Sequence, residues 1–234
     1  MTPHDYLRAL AITLAALATT DDLVPDESFV RYASGFQNYT AKLKVPCEKK
    51  TCEATATLIA DRWALTALHV VGDAESCTLT VGDKTWKVDR IVRHPDKADV
   101  ALLRSEESFG LDFYPPLSDG EEAEGDICSI AGYGVHGRMS EGHNQYDGRL
   151  RAGTNHVERF ERDLIVCTAS PGRSKYEVCI APGDSGGPLF CKGKLCGINS
   201  ITMAPKGPLK SRTGEESGHV RVSLYKAWIE ETIK

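Results

Sequence analysis

No stretch of this sequence approaches the ~20 consecutive apolar residues that a membrane-spanning helix needs, so no membrane partner is expected. A basic excess is missing as well. The 234 residues carry a formal charge of −5, whereas a nucleic-acid partner calls for a basic face. Cysteines paired with histidines at metal-ligand spacing are absent too. Cys47 and Cys52, like Cys191 and Cys196, lie close together without matching histidines, so no metal site is expected. The acidic run Glu121-Glu122-Ala123-Glu124 lacks the alternating oxygen ligands and glycine of a calcium loop and reads as a solvated connector. No internal repeat is visible. Hydrophobic residues make up 41% and charged residues 26%, the balance of a folded globular chain rather than a disordered one.

What is present begins with an export pattern. Arg8 precedes a short apolar core from Ala9 to Ala18, and Ala16-Leu17-Ala18 fits a small-x-small cleavage site. Residues 1–18 are therefore read as a signal peptide and the protein as secreted. Residues 19–28 are polar and acidic, contain Pro25, and read as a mobile N-terminal arm or short propeptide. Eight cysteines, an even set in an exported chain, favour disulfides. Asn38-Tyr39-Thr40 fits a glycosylation sequon, which matters only where that machinery exists.

The remainder consists of short segments rich in Val, Ile, Thr and Leu, separated by Gly, Pro, Asp and Asn. That spacing predicts an all-β chain. Expected strands are Thr40–Val45, Ala54–Ile59, Ala64–Thr66, Cys77–Val81, Lys84–Val92 and Val100–Arg104. After a polar connector, Ser105 to Gly125, a second set follows at Ile127–Ala131, Leu164–Thr168, Pro188–Cys191, Leu195–Ser200 and Val220–Val222. Tyr225, Trp228, Ile229 and Ile233 form one apolar stripe at helical spacing. The expected fold is two six-stranded antiparallel β-barrels packed together with a C-terminal α-helix. One barrel is assigned to residues 29–112 and the other to residues 113–234.

Gly183-Asp184-Ser185-Gly186-Gly187-Pro188 organises the functional reading. Glycines around a serine let the backbone turn sharply and expose its hydroxyl. They also leave backbone N–H groups to face a developing oxyanion. A base and an orienting carboxylate would complete a nucleophilic site. Trp63-Ala64-Leu65-Thr66-Ala67-Leu68-His69 ends an apolar strand on a histidine. Asp99 heads the apolar run Val100-Ala101-Leu102-Leu103, where a carboxylate needs a hydrogen-bond partner and an imidazole N–H suits it. Asp96, on a turn after Pro95, is the weaker candidate.

These three motifs, in the order His, Asp, Ser, resemble those of the chymotrypsin/trypsin-fold serine proteases from about Tyr39 to the C-terminus. Gly132-Tyr133-Gly134 resembles that family's turn opening the second barrel. The resemblance implies Ser185 as nucleophile, His69 as general base and Asp99 as its orienting carboxylate. It implies an oxyanion hole from the Gly183 and Ser185 amides, with Ser200 supporting Asp99. It also implies a substrate pocket lined by Cys179, Ile180, Ser200, Thr202, Ser217 and His219. Cys179, rather than an aspartate, at the pocket position argues against an Arg or Lys preference, and His219 is a candidate reader of an acidic side chain. The family's disulfide at the histidine is absent, with Val70 and Ala54 in its place. Cys128–Cys191 matches another family pair, Cys167 and Cys179 are candidates to staple the loop before the serine, and Cys47–Cys52 is a further guess. The family's cleaved Ile-Val-Gly-Gly terminus is not found, and Arg138 is a candidate partner for Asp184.

The implied function is a monomeric, cofactor-free serine endopeptidase acting on proteins or peptides through an acyl-enzyme. The alternative is a homologue that has lost catalysis and acts by binding. An esterase-like α/β-hydrolase is disfavoured, because no aspartate follows Ser185 and intervening helices are lacking.

Overall fold

The computed structural model describes residues 19–47, 50–204 and 209–234; the expected signal peptide lies outside them. The described residues open with β1 (Thr19–Thr20) and helix α1 (Asp26–Ala33), then build β2 (Thr40–Cys47), β3 (Lys50–Ala60) and β4 (Trp63–Thr66). A single-turn helix α2 (Leu68–Val71) leads to β5 (Cys77–Val81), β6 (Lys84–Arg93) and β7 (Ala101–Ser105). Strands β2 to β7 close into a six-stranded barrel in the order β2-β3-β4-β7-β6-β5.

The second half contains β8 (Ile127–Gly132), β9 (His136–Arg138), β10 (Gly142–Gln145), β11 (Arg151–His156) and β12 (Arg159–Glu161). It continues through β13 (Leu164–Thr168), β14 (Val178–Cys179), β15 (Pro188–Cys191), β16 (Lys194–Met203) and β17 (Glu216–Arg221), and ends in helix α3 (Lys226–Ile233). The all-β architecture with a closing helix is as expected. In detail, the second half is a seven-stranded sheet, β11-β8-β15-β16-β17-β13-β12, beside a four-stranded one, β10-β9-β1-β14. One pairing, β1 with β9, is parallel.

Turn chemistry sets the hairpins. Lys192 and Gly193 both hold positive φ, 51° and 77°, between the paired Cys191 and Lys194, the conformation a two-residue β-turn needs to follow strand twist.

Strands β4 and β7 explain why the two halves meet where they do. Ala64, Ala101 and Leu103 point into the first barrel's core. Their neighbours Trp63, Leu65, Val100 and Leu102 face outward, against Phe190, Leu195, Ile198, Val220 and Ile229 of the second half. Strands covered on both faces read as continuous apolar runs, as these two do.

Residues 19–28 differ from the expected mobile arm. Thr19, Thr20 and Asp21 are 0, 1 and 2% exposed, because β1 is inserted between β9 and β14. Helix α1, which the sequence reading divided between the arm and the first barrel and did not foresee as a helix, packs on the second half. Phe29 enters the second core with Cys128 and Val178, and Ala33 meets Ala131 and Ala152. Arg151, 1% exposed, holds the helix by donating to both carboxylate oxygens of Asp26 and to both of Asp147.

The cysteine expectations are corrected in part. Cys47 and Cys52 form a disulfide with Cα atoms 5.8 Å apart. Cys128 and Cys191 are thiols here although they are cross-strand partners. Cys128 Sγ instead turns across the interior to 3.7 Å from Cys167 Sγ. Cys167 and Cys179 are likewise both thiols, and the Cys179 thiol meets the Ser217 hydroxyl.

Candidate active site

Register places the first two functional groups. Thr66 at the end of β4 pairs with Ala101 at the start of β7. The residues just beyond, His69 in α2 and Asp99, therefore emerge at the same end of the barrel. The His69 backbone N–H donates to Asp99 Oδ1 at 2.8 Å, and its Nδ1 lies 3.0 and 2.8 Å from the two carboxylate oxygens. The other ring nitrogen, Nε2, is 2.9 Å from Ser185 Oγ. Asp99 can only accept, so Nδ1 carries the proton and Nε2 is left to accept from the serine hydroxyl. Asp99 Oδ2 also accepts from Ser200 Oγ.

The His69 and Asp99 side chains are 18 and 17% exposed, a partly dry setting that strengthens their coupling. Burial alone lowers the imidazole pKa, but the charge of Asp99 and its hydrogen bond outweigh it and leave the value raised. Burial likewise disfavours the Asp99 carboxylate, yet His69 and the Ser200 hydroxyl hold its pKa below the ordinary range. Asp96 has no part in this cluster of bonds.

Ser185 sits on a turn clamped from both sides by one residue of the first barrel. Thr55, fully buried, donates its N–H to the Ser185 carbonyl at 3.0 Å and its hydroxyl to the Gly183 carbonyl at 2.9 Å. Its Oγ1 also accepts from the Tyr133 N–H. The clamp requires glycine. At Gly186, with φ +85°, a Cβ would lie 2.1 Å from both Thr55 O and Thr66 Oγ1. A Cβ on Gly132 would lie 2.3 Å from Asp184 Oδ1, the acceptor for the nearby Gly134 N–H. Sequence reasoning singled out the glycines but missed Thr55. A threonine in an alternating strand shows no mark of its long-range role.

Two expectations at this site are corrected. His219 is 0% exposed and both ring nitrogens are engaged, Nδ1 with Asn199 Oδ1 at 2.8 Å and Nε2 with Ser217 Oγ at 3.0 Å. Burial depresses its pKa to about 3, so the ring is neutral, donating to Asn199 and accepting from Ser217. It is thus closed to a substrate side chain and acts as a brace. Asn199 in turn donates to the Ala131 carbonyl and exchanges backbone hydrogen bonds with Gly186 and Gly187. Arg138 does not serve Asp184: its guanidinium donates to the carbonyls of Asp21 and Val24 and to Thr20 Oγ1. Asp184 accepts from the Ala181 N–H at 3.0 Å.

Of the remaining proposed pocket residues, Cys179, Ile180 and Ser217 are buried, and the Cys179 thiol meets the Ser217 hydroxyl. Thr202 pairs with Ser217 across β16 and β17, two residues along from Ser200.

The family model described as Trypsin matches residues 29–229. The chain belongs to the trypsin family. Among trypsin-family proteins, chymase of Macaca fascicularis is 28% identical over 211 residues, 76% of this chain and 77% of that protein. Chymotrypsin-like elastase family member 1, from the same species, is 28% identical over 244 residues, 89 and 85% of the two chains. The solved structure of neuropsin, a serine protease of mouse brain, superposes with a TM-score of 0.68 at 21% identity, covering 92% of this chain and 99% of that one. That likeness is one of fold. Among the described residues, no helix is long and apolar enough to cross a membrane, and no cluster of His, Cys, Asp and Glu is arranged to hold a metal.

Proposed function

We propose that the protein is an exported serine endopeptidase that cleaves protein or peptide substrates through an acyl-enzyme. The observation that carries this reading is the His69 ring, within hydrogen-bond reach of Asp99 on one side and Ser185 on the other. Ser185 Oγ attacks the scissile carbonyl as His69 Nε2 takes its proton, and Asp99 stabilises the imidazolium so formed. The Gly183 and Ser185 amides receive the oxyanion. Collapse of the tetrahedral intermediate returns the proton from His69 to the leaving amine. A water molecule then repeats the sequence on the ester. The residues themselves supply the nucleophile, base and oxyanion donors, so the scheme calls for no cofactor.

Cys179, Ile180, Ser200, Thr202 and Ser217, taken as pocket walls, carry no formal charge at neutral pH, which favours an uncharged side chain on the acyl side of the cut bond. The alternative of a binding protein without catalysis loses its ground, because all three side chains are present and within reach of one another.

Labelling purified protein with a fluorophosphonate tests the reading: modification is expected at Ser185 and nowhere else. Ser185→Ala should retain its circular dichroism and melting temperature while kcat falls by on the order of 10⁴ or more. Undiminished turnover in that variant would remove the assignment.

A further inference from the structure

A lysine next to the serine clamp carries a charge that the fold leaves unused. The serine turn is held on one side by β16, where the Gly186 N–H donates to the Asn199 carbonyl at 2.8 Å. On the other side it is held by β3, where the Thr55 N–H donates to the Ser185 carbonyl at 3.0 Å. Ser200 and Thr202, two walls of the acyl-side pocket, continue β16 past Asn199. Strand β3 and its partner β2 are thus left to border the side where the leaving amine departs. Lys42 of β2 pairs with Thr55, and Lys44 pairs with Glu53. Cross-strand partners stand on one face of a sheet, so Lys42 shares the face of the Thr55 hydroxyl that clamps Gly183.

One carboxylate stands beside two lysines here. Glu53 is taken up by Lys44, 3.3 Å away, and by the Tyr146 hydroxyl. Lys42 acts on Glu53 only through its charge, and its ammonium forms no ion pair or hydrogen bond among the described residues. Half-buried, it lies instead 5.3 Å from the centre of the Tyr133 ring and 6.0 Å from that of Tyr146. Ring faces hold a cation in place, yet they offer no oxygen to its three N–H donors. Tyr133 is itself fixed, its N–H bonded to Thr55 Oγ1 at 3.0 Å. Gly148 keeps the approach open, since a Cβ there would lie 2.8 Å from Lys42 Nζ. A positioned cation with unspent donors is suited to a carboxylate.

We propose that Lys42 is a specificity-determining residue that binds an acidic side chain of the substrate within the three residues after the cut bond. The inference rests on the endopeptidase reading above. Lys42 stands one strand spacing, about 4.8 Å, from Thr55, and an extended peptide advances about 3.3 Å per residue, which sets the limit of three.

The test uses internally quenched peptides with one common sequence and a small uncharged residue before the cut bond. Glu, Gln or Lys is placed in turn at the first, second or third position after it, and mass spectrometry fixes the bond cut. At low ionic strength, Glu at one of these positions should raise kcat/KM about five- to tenfold over Gln, with Lys below both. The advantage should shrink as salt is added, because the pair forms near the surface. In Lys42→Met the ratio of Glu to Gln should fall to about one, whereas Lys42→Arg should keep it. No advantage for Glu at any of the three positions, or an advantage that survives in Lys42→Met, overturns the proposal while the peptidase stands. Failure to cut any peptide of the panel strikes the endopeptidase reading itself, and this inference with it.

Discussion

The two halves of the molecule are stabilised differently. The first barrel closes on itself: six antiparallel strands, consecutive hairpins, one apolar core and a disulfide across the β2–β3 hairpin. It gives the site two groups at strand ends that register places side by side, and Thr55 on β3, which clamps the serine turn. The second half depends on distant segments. Residues 19–33 supply a strand and a helix to it, a buried arginine joins that helix to β11, and a buried histidine braces the serine turn through Asn199. The difference shows what each group of the site needs. A base and a carboxylate can sit on the rim of an autonomous barrel, whereas a serine flanked by glycines must be clamped from outside its own loop.

Removing the Arg151 anchor should give the largest effect on stability. Arg151→Met strands Asp26 and Asp147, each about one-third exposed, and should cost about 3 kcal/mol in urea unfolding, toward the lower end for a broken buried pair because solvent partly screens the acids. Asp147 has its pKa well below the usual carboxylate range, chiefly through the hydrogen bonds of Arg151. A depressed folded value gives stability that is present above the ordinary carboxylate pKa and lost as pH falls through the lower one. The acid-side loss of stability should therefore shrink in Arg151→Met. An unchanged urea midpoint would mean that α1 is not anchored through this residue.

Thr55→Val probes the clamp between the halves. It removes the hydroxyl bonds to Gly183 and Tyr133 but keeps the backbone bond to Ser185. Leaving those polar groups unmet should cost roughly 1–2 kcal/mol. Single-turnover kinetics should place that loss in acylation; a change confined to KM would argue that the clamp does not position the serine.

The smallest effect is in pH dependence. His69 must be neutral to act as a base, and its pKa is raised by Asp99. The fall in kcat/KM on acidification should therefore occur above the ordinary histidine value of about 6.5. In Asp99→Asn the residual activity should fall at a lower pH. His219, with its pKa near 3, adds no second limb in this range. An acid limb that does not move in Asp99→Asn would mean that the base is tuned from the second half.

Local pattern carried much of the reading. Cys77–Val81, Leu164–Thr168 and Pro188–Cys191 are strands with the expected bounds, because alternation or a wholly apolar run, ended by a turn residue, is local information. Helix α1 escaped notice. Its buried positions, Phe29 and Ala33, are too few to make a periodic stripe, and its stability comes from Arg151, more than a hundred residues away in the chain. The short strands β9, β12 and β14 escaped for the same reason, since two or three residues form a strand only when a partner is already in place.

The sequence by itself determined the alternation of apolar and turn residues, the all-β class, and the chemical kinds that converge, because each of these is written in neighbouring side chains. Tertiary structure alone decided that Thr55 clamps the serine turn, that His219 faces inward and that Cys128 turns toward Cys167. Those outcomes depend on which groups meet across the fold. A residue's hydrogen-bonding capacity is local, but the partner that satisfies it is not.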